Sequence, residues 1–186
     1  MTQTLLERLR QATHSTHMAL HEHPLMTQHV LRGLSPQSYG LFLRAFLAPW
    51  RSVQPWRSSF EQWPMDDLTM LEADLQALSQ GVWTDQATPL TSADAATGAL
   101  YTLFGSSMGG RGILKVVRQQ WPDAPSMYLS QADGVSRWGQ FALWLKQQPY
   151  SCAHEETLQG AQQCFELVQS GFDHALQHLD AVQPQA

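Results

Sequence analysis

Residues 101–115 read Tyr-Thr-Leu-Phe-Gly-Ser-Ser-Met-Gly-Gly-Arg-Gly-Ile-Leu-Lys. Gly105, Gly109, Gly110 and Gly112 put four glycines into eight residues of what otherwise reads as one buried helix. A glycine inside a helix costs about 1 kcal/mol against alanine. A helix that accepts this cost repeatedly gains something local from it. Glycine permits a bend, and with no Cβ the backbone can come close to another group. That group is either a neighbouring helix packed through small residues or a flat ligand lying on one face. Spacing alone leaves both readings open.

The rest of the chain shows helical periodicity and no convincing period-two strand, so the spacing predicts one all-α domain over residues 1–182. The first helix is expected over residues 4–22, with Thr4 and Glu7 in a capping-box pattern and Pro24 as its stop. A short helix is expected at 26–32. Ser35 and Pro36 then read as N-cap and first-turn proline of a helix carrying Tyr39, Phe42, Phe46 and Leu47, which Pro49 and Pro55 bend or divide. Asp66 and Asp67 open a further helix that runs through Leu78 and closes at Gly81, before a loop over 81–91. Ser92 starts the glycine-bearing helix, which ends near Trp121 and Pro122. A loop rich in Pro, Asp and Ser leads to a helix at 135–148. Ser151, with Glu155 and Glu156, opens the last helix, which runs to about Leu179. The tail 183–186 reads as disordered.

A chain of 186 residues can bury a substantial core, and seven Trp and seven Phe supply the apolar area for it. The net charge of −5 excludes a basic nucleic-acid surface. No apolar run reaches membrane-spanning length, and no secretory h-region opens the chain. Cys152 and Cys164 form no disulfide framework. These features predict a cytoplasmic protein with no membrane and no nucleic-acid partner.

On the first helix, Leu5, Leu9, Ala12, Thr16 and Leu20 recur at helical spacing and are expected to face the bundle. Arg10, His14, His17 and His21 form a second stripe beside the first. That placement suits a ligand held between this helix and another. The offsets of His14, His17 and His21 also admit a bare transition metal, although no Glu or Asp on the stripe completes such a site.

Two segments together carry a resemblance. Leu9-Arg10-Gln11-Ala12-Thr13-His14-Ser15-Thr16-His17 is similar to the first-helix motif of the haem oxygenases, and Gly105-Ser106-Ser107-Met108-Gly109-Gly110 is similar to their glycine-kinked distal helix. The form of the second motif resembles bacterial members, including those encoded beside bacteriophytochromes. Helix order and length match too, so the resemblance covers nearly the whole chain.

The resemblance implies a single-domain, haem oxygenase-like multi-helical bundle. It implies His17 as the proximal ligand of haem iron, with neutral imidazole as the donor, and Arg10 as the partner of a propionate. The backbone at Gly105 and Gly109 lies close above the iron and steers dioxygen. Gly110 matches the second adjacent glycine. Ser106 stands where some members carry Asp, and ordered water then carries the protons. Phe165 and Phe172 match aromatic positions beside the haem, where their bundle-core role is equally compatible, and Tyr101 lines the same wall one turn before Gly105. Arg137 opens Arg-Trp-Gly-Gln-Phe, similar to the family's penultimate helix, where basic residues meet propionates. His154, His174 and His178 have no motif around them and read as surface residues.

The implied activity is oxidative cleavage of haem b, at once substrate and cofactor, to biliverdin, carbon monoxide and ferrous iron. Electrons come from a separate ferredoxin or reductase, because the sequence shows no flavin or nicotinamide site. A bilin-accepting photoreceptor is a further implied partner. In one respect the sequence departs from the family: His21 stands where a Glu four residues after the proximal histidine is usual. A carboxylate there strengthens the ligand's basicity more than a neutral imidazole does. That departure motivates a second reading, a non-catalytic haem carrier or sensor on the same fold. A third is a bundle for another small ligand, since one fold serves unrelated chemistries.

Overall fold

The computed structural model describes residues 3–79, 87–131 and 134–182. Among the described residues are seven α-helices and three short helical turns, with an isolated bridge between Thr4 and Pro149 as the β-type pairing. The all-α expectation therefore holds. No helix among the described residues is long and apolar enough to cross a membrane. The expected closure at Gly81, most of the following loop and the 183–186 tail lie outside the described residues.

Helix α1 spans Leu5–Glu22. Thr4 caps it as the sequence predicts: its hydroxyl accepts the Glu7 N–H at 3.2 Å, and the Glu7 carboxylate accepts the Thr4 N–H at 2.8 Å. The residues it buries are Leu5, Leu6, Leu9 and Thr13, so the inward stripe is narrower than expected and Thr16 and Leu20 are only half-buried. Thr13 is tolerated inside because its hydroxyl donates to the Leu9 carbonyl at 2.8 Å. After Pro24, a π-helical turn over Leu25–Val30 takes the place of the expected short α-helix and buries Leu25, Met26 and Val30.

Ser35 caps α2, Pro36–Arg44, with Pro36 in its first turn and Ser38 completing the capping box. The predicted division by proline is present, but it falls at Ala45 and Phe46, ahead of Pro49. A proline ring crowds the carbonyl four residues back, which here belongs to Ala45. Helix α3, Leu47–Val53, then runs into a 3-10 turn over Gln54–Phe60 that contains Pro55. Helix α4 covers Asp67–Ala77.

Helix α5, Ala93–Gln120, is the axis of the fold. Ser92 caps it, and every residue from Ala95 to Phe104 is buried. The helix continues unbroken through all four glycines. Helix α6, Gly134–Gln147, and a 3-10 turn at Cys152–His154 lead to α7, Glu155–Val182. Helices α5 and α7 cross in near backbone contact. A Cβ built at Gly98 would stand 2.6 Å from the Ala161 nitrogen, and one at Gly160 would stand 2.6 Å from the Ala95 carbonyl carbon. Small residues packing helix on helix are thus found at Gly98 and Gly160, and not in the glycine cluster.

The core is aromatic. Trp50, Tyr39, Phe42, Phe104, Phe141 and Phe172 are fully buried. Helix α6 is fixed to α4 by a buried ion pair: Nη1 and Nη2 of Arg137 each donate to Asp67 at 2.7 Å, and the guanidinium lies 4.3 Å from the centre of the Phe104 ring.

Candidate active site

A cavity of about 580 Å³ opens between α1 and α5 and is closed behind by α7, α2 and the segment 124–131. Its volume is that of a small-molecule site, and its walls are mostly apolar. Arg10, His17, Tyr101, Gly105, Ser106, Gly109, Gly110, Phe165 and Phe172, the residues singled out from the sequence, all line it. His14 and His21 line it as well.

The α5 wall owes its openness to its glycines. Nothing lies within 4 Å of a Cβ built at Gly109, and a Cβ at Gly105 would meet only the Trp138 ring, at 3.6 Å. A Cβ at Gly110 would make an ordinary contact with Leu129 at 3.5 Å. No neighbouring backbone needs these three glycines. What they leave is a strip of bare helix facing the cavity, the close-approach arrangement that glycine alone permits.

On the α1 wall, the His17 ring stands edge-on to Phe165, with centroids 5.9 Å apart. Its Nε2 meets Nε2 of His21 at 3.2 Å, one nitrogen donating and the other accepting. Partial desolvation against the cavity wall lowers the His17 pKa below the ordinary imidazole value, and the neighbouring His21 and His14 push it further down. A neutral imidazole with an available lone pair is the form that binds a metal. Thr13 and Tyr101 bring the two walls together, their hydroxyl oxygens 3.4 Å apart. Burial raises the Tyr101 pKa, against the opposing effects of the Thr13 hydrogen bond and the Arg10 charge.

The back of the cavity contains residues that the sequence did not single out, among them Met26, Tyr128, Leu129 and Trp138. Tyr128 sits in the non-helical segment 124–131, where no periodicity marks it. Its place is set from a distance: the Asp74 carboxylate of α4 accepts the N–H groups of Met127 and Tyr128, each at 2.9 Å, and the Tyr39 hydroxyl donates to the Pro125 carbonyl at 2.9 Å. Burial raises the Asp74 pKa, and the two backbone hydrogen bonds oppose the rise. Trp50 Nε1 donates to the Tyr128 hydroxyl at 3.0 Å, and the Ser106 hydroxyl is a second hydrogen-bonding neighbour of that group. Ser106 gives its own proton to the Leu103 carbonyl at 2.7 Å.

Arg137 faces away from the cavity. It is buried on Asp67, with the Gln131 side-chain oxygen and the Pro64 carbonyl as further acceptors, and it does not line the cavity. Its role is to hold α6 on α4. His174 and His178 are exposed and His154 is half-exposed, away from the cavity.

No protein-family model matches the sequence, and no curated protein matches it. Solved structures do. The haem oxygenase of Leptospira interrogans superposes with a TM-score of 0.71 at 16% identity, over 92% of this chain and 100% of that one. The haem oxygenase of Neisseria meningitidis, solved with NO and CO bound, gives 0.68 at 20% identity, over 94% and 92%. Haem oxygenase-1 of the cyanobacterium Synechocystis, in complex with haem, gives 0.73 at 15% identity, over 96% and 97%. At these identities the likeness is one of architecture, and over nearly its whole length this chain has the fold of the haem oxygenases.

Proposed function

We propose that this protein is a haem oxygenase: it takes haem b into the slot between α1 and α5 and opens the ring to biliverdin, carbon monoxide and ferrous iron. Dioxygen is the oxidant, and a separate ferredoxin or reductase supplies electrons. The observation that carries the reading is the bare glycine strip of α5, which no packing contact requires, in the wall of a cavity that also holds a neutral imidazole.

The residues fit the group. A flat ring needs a slot with one wall free of side chains, and Gly105 and Gly109 supply it. The iron would need a nitrogen donor, and His17 is the imidazole that would supply it. A propionate needs a cation at the cavity edge, and exposed Arg10 is there. When bound, haem supplies the iron that binds dioxygen and the carbon skeleton that is cleaved. The chain itself orients the ring, excludes bulk water with Phe165, Phe172 and Met26, and keeps strong acids off the glycine face. Ser106 and Tyr128 are among the hydroxyls lining the cavity, and both are polar enough to anchor water. The free thiols of Cys152 and Cys164 accord with a cytoplasmic setting. The product then passes to a bilin-accepting photoreceptor or leaves as the by-product of iron release.

Titration of the protein with ferric haem, followed by a reductant in air, tests the proposal. The expected result is a stoichiometric histidine-ligated spectrum that bleaches as a bilin band and carbon monoxide appear. Stoichiometric binding without bleaching points instead to the carrier or sensor reading, which the His17–His21 contact in place of a carboxylate favours. Absence of stoichiometric haem binding overturns both.

A further inference from the structure

We propose that His17 and His21 together chelate one divalent transition-metal ion, of the zinc or copper(II) class, when the cleft holds no haem. The two residues lie one helical turn apart on α1, their rings edge-to-face with centroids 4.6 Å apart. Their Nε2 atoms, 3.2 Å apart, point at one another across the edge of the cleft. Zinc–imidazole bonds are about 2.0–2.1 Å long, and tetrahedral or tetragonal angles set two nitrogens of one ion about 2.9–3.4 Å apart. The pair is already spaced as two corners of a coordination polyhedron. No side chain has to move by more than the reorientation of a ring.

The proton count closes without an acid or base. In the ion-free pair one Nε2 carries the shared proton. On binding, that ring carries its proton on Nδ1 instead, both Nε2 lone pairs go to the ion, and no proton is lost. Water fills the remaining positions, since both rings are exposed to it. No group of three or more His, Cys, Asp or Glu side chains gathers among the described residues, so the site is a two-nitrogen one and its affinity is that of a chelating pair.

The site has a consequence for haem, which rests on the function proposed above. Haem iron in this slot would be held by only one of the two imidazoles. If His17 is the iron ligand, a bare ion and haem claim the same nitrogen and exclude one another.

The test uses the full-length haem-free protein carrying Cys152→Ser, which removes the exposed thiol, and titrates it with zinc chloride against a chromogenic chelator. One ion per chain is expected, held with the affinity of a two-imidazole chelate. His17→Ala and His21→Ala should each weaken it at least tenfold, about one power of ten in Kd, while His14→Ala leaves it near the parent value. All three side chains are exposed, and circular dichroism checks that the variants remain folded. Unchanged affinity in both His17→Ala and His21→Ala, or no stoichiometric zinc, overturns the site. Adding haem to the zinc-loaded protein separates this inference from the one it rests on. Release of zinc supports both. Zinc held through both histidines while haem fails to displace it leaves the metal site standing and counts against His17 as the haem ligand.

Discussion

Two glycines on the same helix should respond to alanine with opposite signs. At Gly98 the new Cβ would lie 2.6 Å from the Ala161 nitrogen, with the Thr157 carbonyl closer still, and both belong to the backbone of α7. Neither is the movable end of a side chain. Carbon needs about 3.5 Å to a heavy neighbour, so clearing the Ala161 nitrogen alone takes about 1 Å and clearing the Thr157 carbonyl takes more, and a gap of even about 1 Å forfeits a quarter to a half of each dispersion contact along the seam. Overpacking of this kind costs about 1–3 kcal/mol and sometimes more, and alanine's helix propensity returns about 1 kcal/mol. With backbone on both sides the cost falls at the top of that range, so a net loss of about 2 kcal/mol is expected, or about 4–8 °C in Tm for a chain of this size. At Gly109 no atom lies within 4 Å of the new Cβ. There the propensity gain of about 0.5–1 kcal/mol should stand alone and raise Tm by about 1–4 °C. Thermal and urea unfolding of the haem-free variants, followed by far-UV circular dichroism, measures both. A destabilised Gly109→Ala, or a Gly98→Ala as stable as the parent, refutes the division of the glycines into packing and cavity-facing sets.

Other expectations follow from single side chains. Arg137→Met leaves the Asp67 carboxylate buried without its cation and should cost about 3–5 kcal/mol in urea unfolding; a loss under about 1 kcal/mol removes the pair from the set of fold-determining contacts. Asp74 has a folded pKa raised above its ordinary 3.8. Its contribution to stability is therefore full below that value and is lost as pH rises through the folded pKa, so the stability of the parent relative to Asp74→Asn should fall across that window. A difference that stays flat with pH would show that burial does not govern this carboxyl.

Local signals were legible where the chemistry is local. Thr4, Ser35 and Ser92 cap their helices through hydrogen bonds three residues ahead, so short sequence patterns reveal them. The residues on the two motifs converge on one cavity because each motif occupies a single helix face. What the sequence did not reveal depends on distant partners. Tyr128 and Leu129 reach the cavity because Asp74, more than fifty residues away, and Tyr39 hold their segment. The packing glycines, Gly98 and Gly160, sit singly in apolar runs, where nothing distinguishes a glycine under a crossing helix from one that is merely tolerated. The cluster at 105–112 stands out by its density, but density alone does not distinguish cavity from contact. The π-helical turn keeps nearly the same spacing of apolar residues as an α-helix, so periodicity passed over it. Arg137 stood in a motif suggestive of a ligand, but a buried acid in α4 was the partner that decided its direction.

The support of α1 is uneven along its length. Its start is pinned by paired backbone bonds, Leu5 N–H to the Gln148 carbonyl and Tyr150 N–H to the Gln3 carbonyl, both 2.9 Å. Every residue that α1 buries lies at or before Thr13, and just past its far end His23 meets Asp173 of α7 at 3.1 Å. Mechanically it is a beam clamped at one end and propped at the other. His17 stands twelve residues along from Leu5, a lever arm of about 18 Å, so a tilt of about 5° at the clamp carries its ring through about 1.6 Å. The spacing across the slot is thus set by an angle at the chain's first turn, and the prop that holds this angle is a pair containing a histidine.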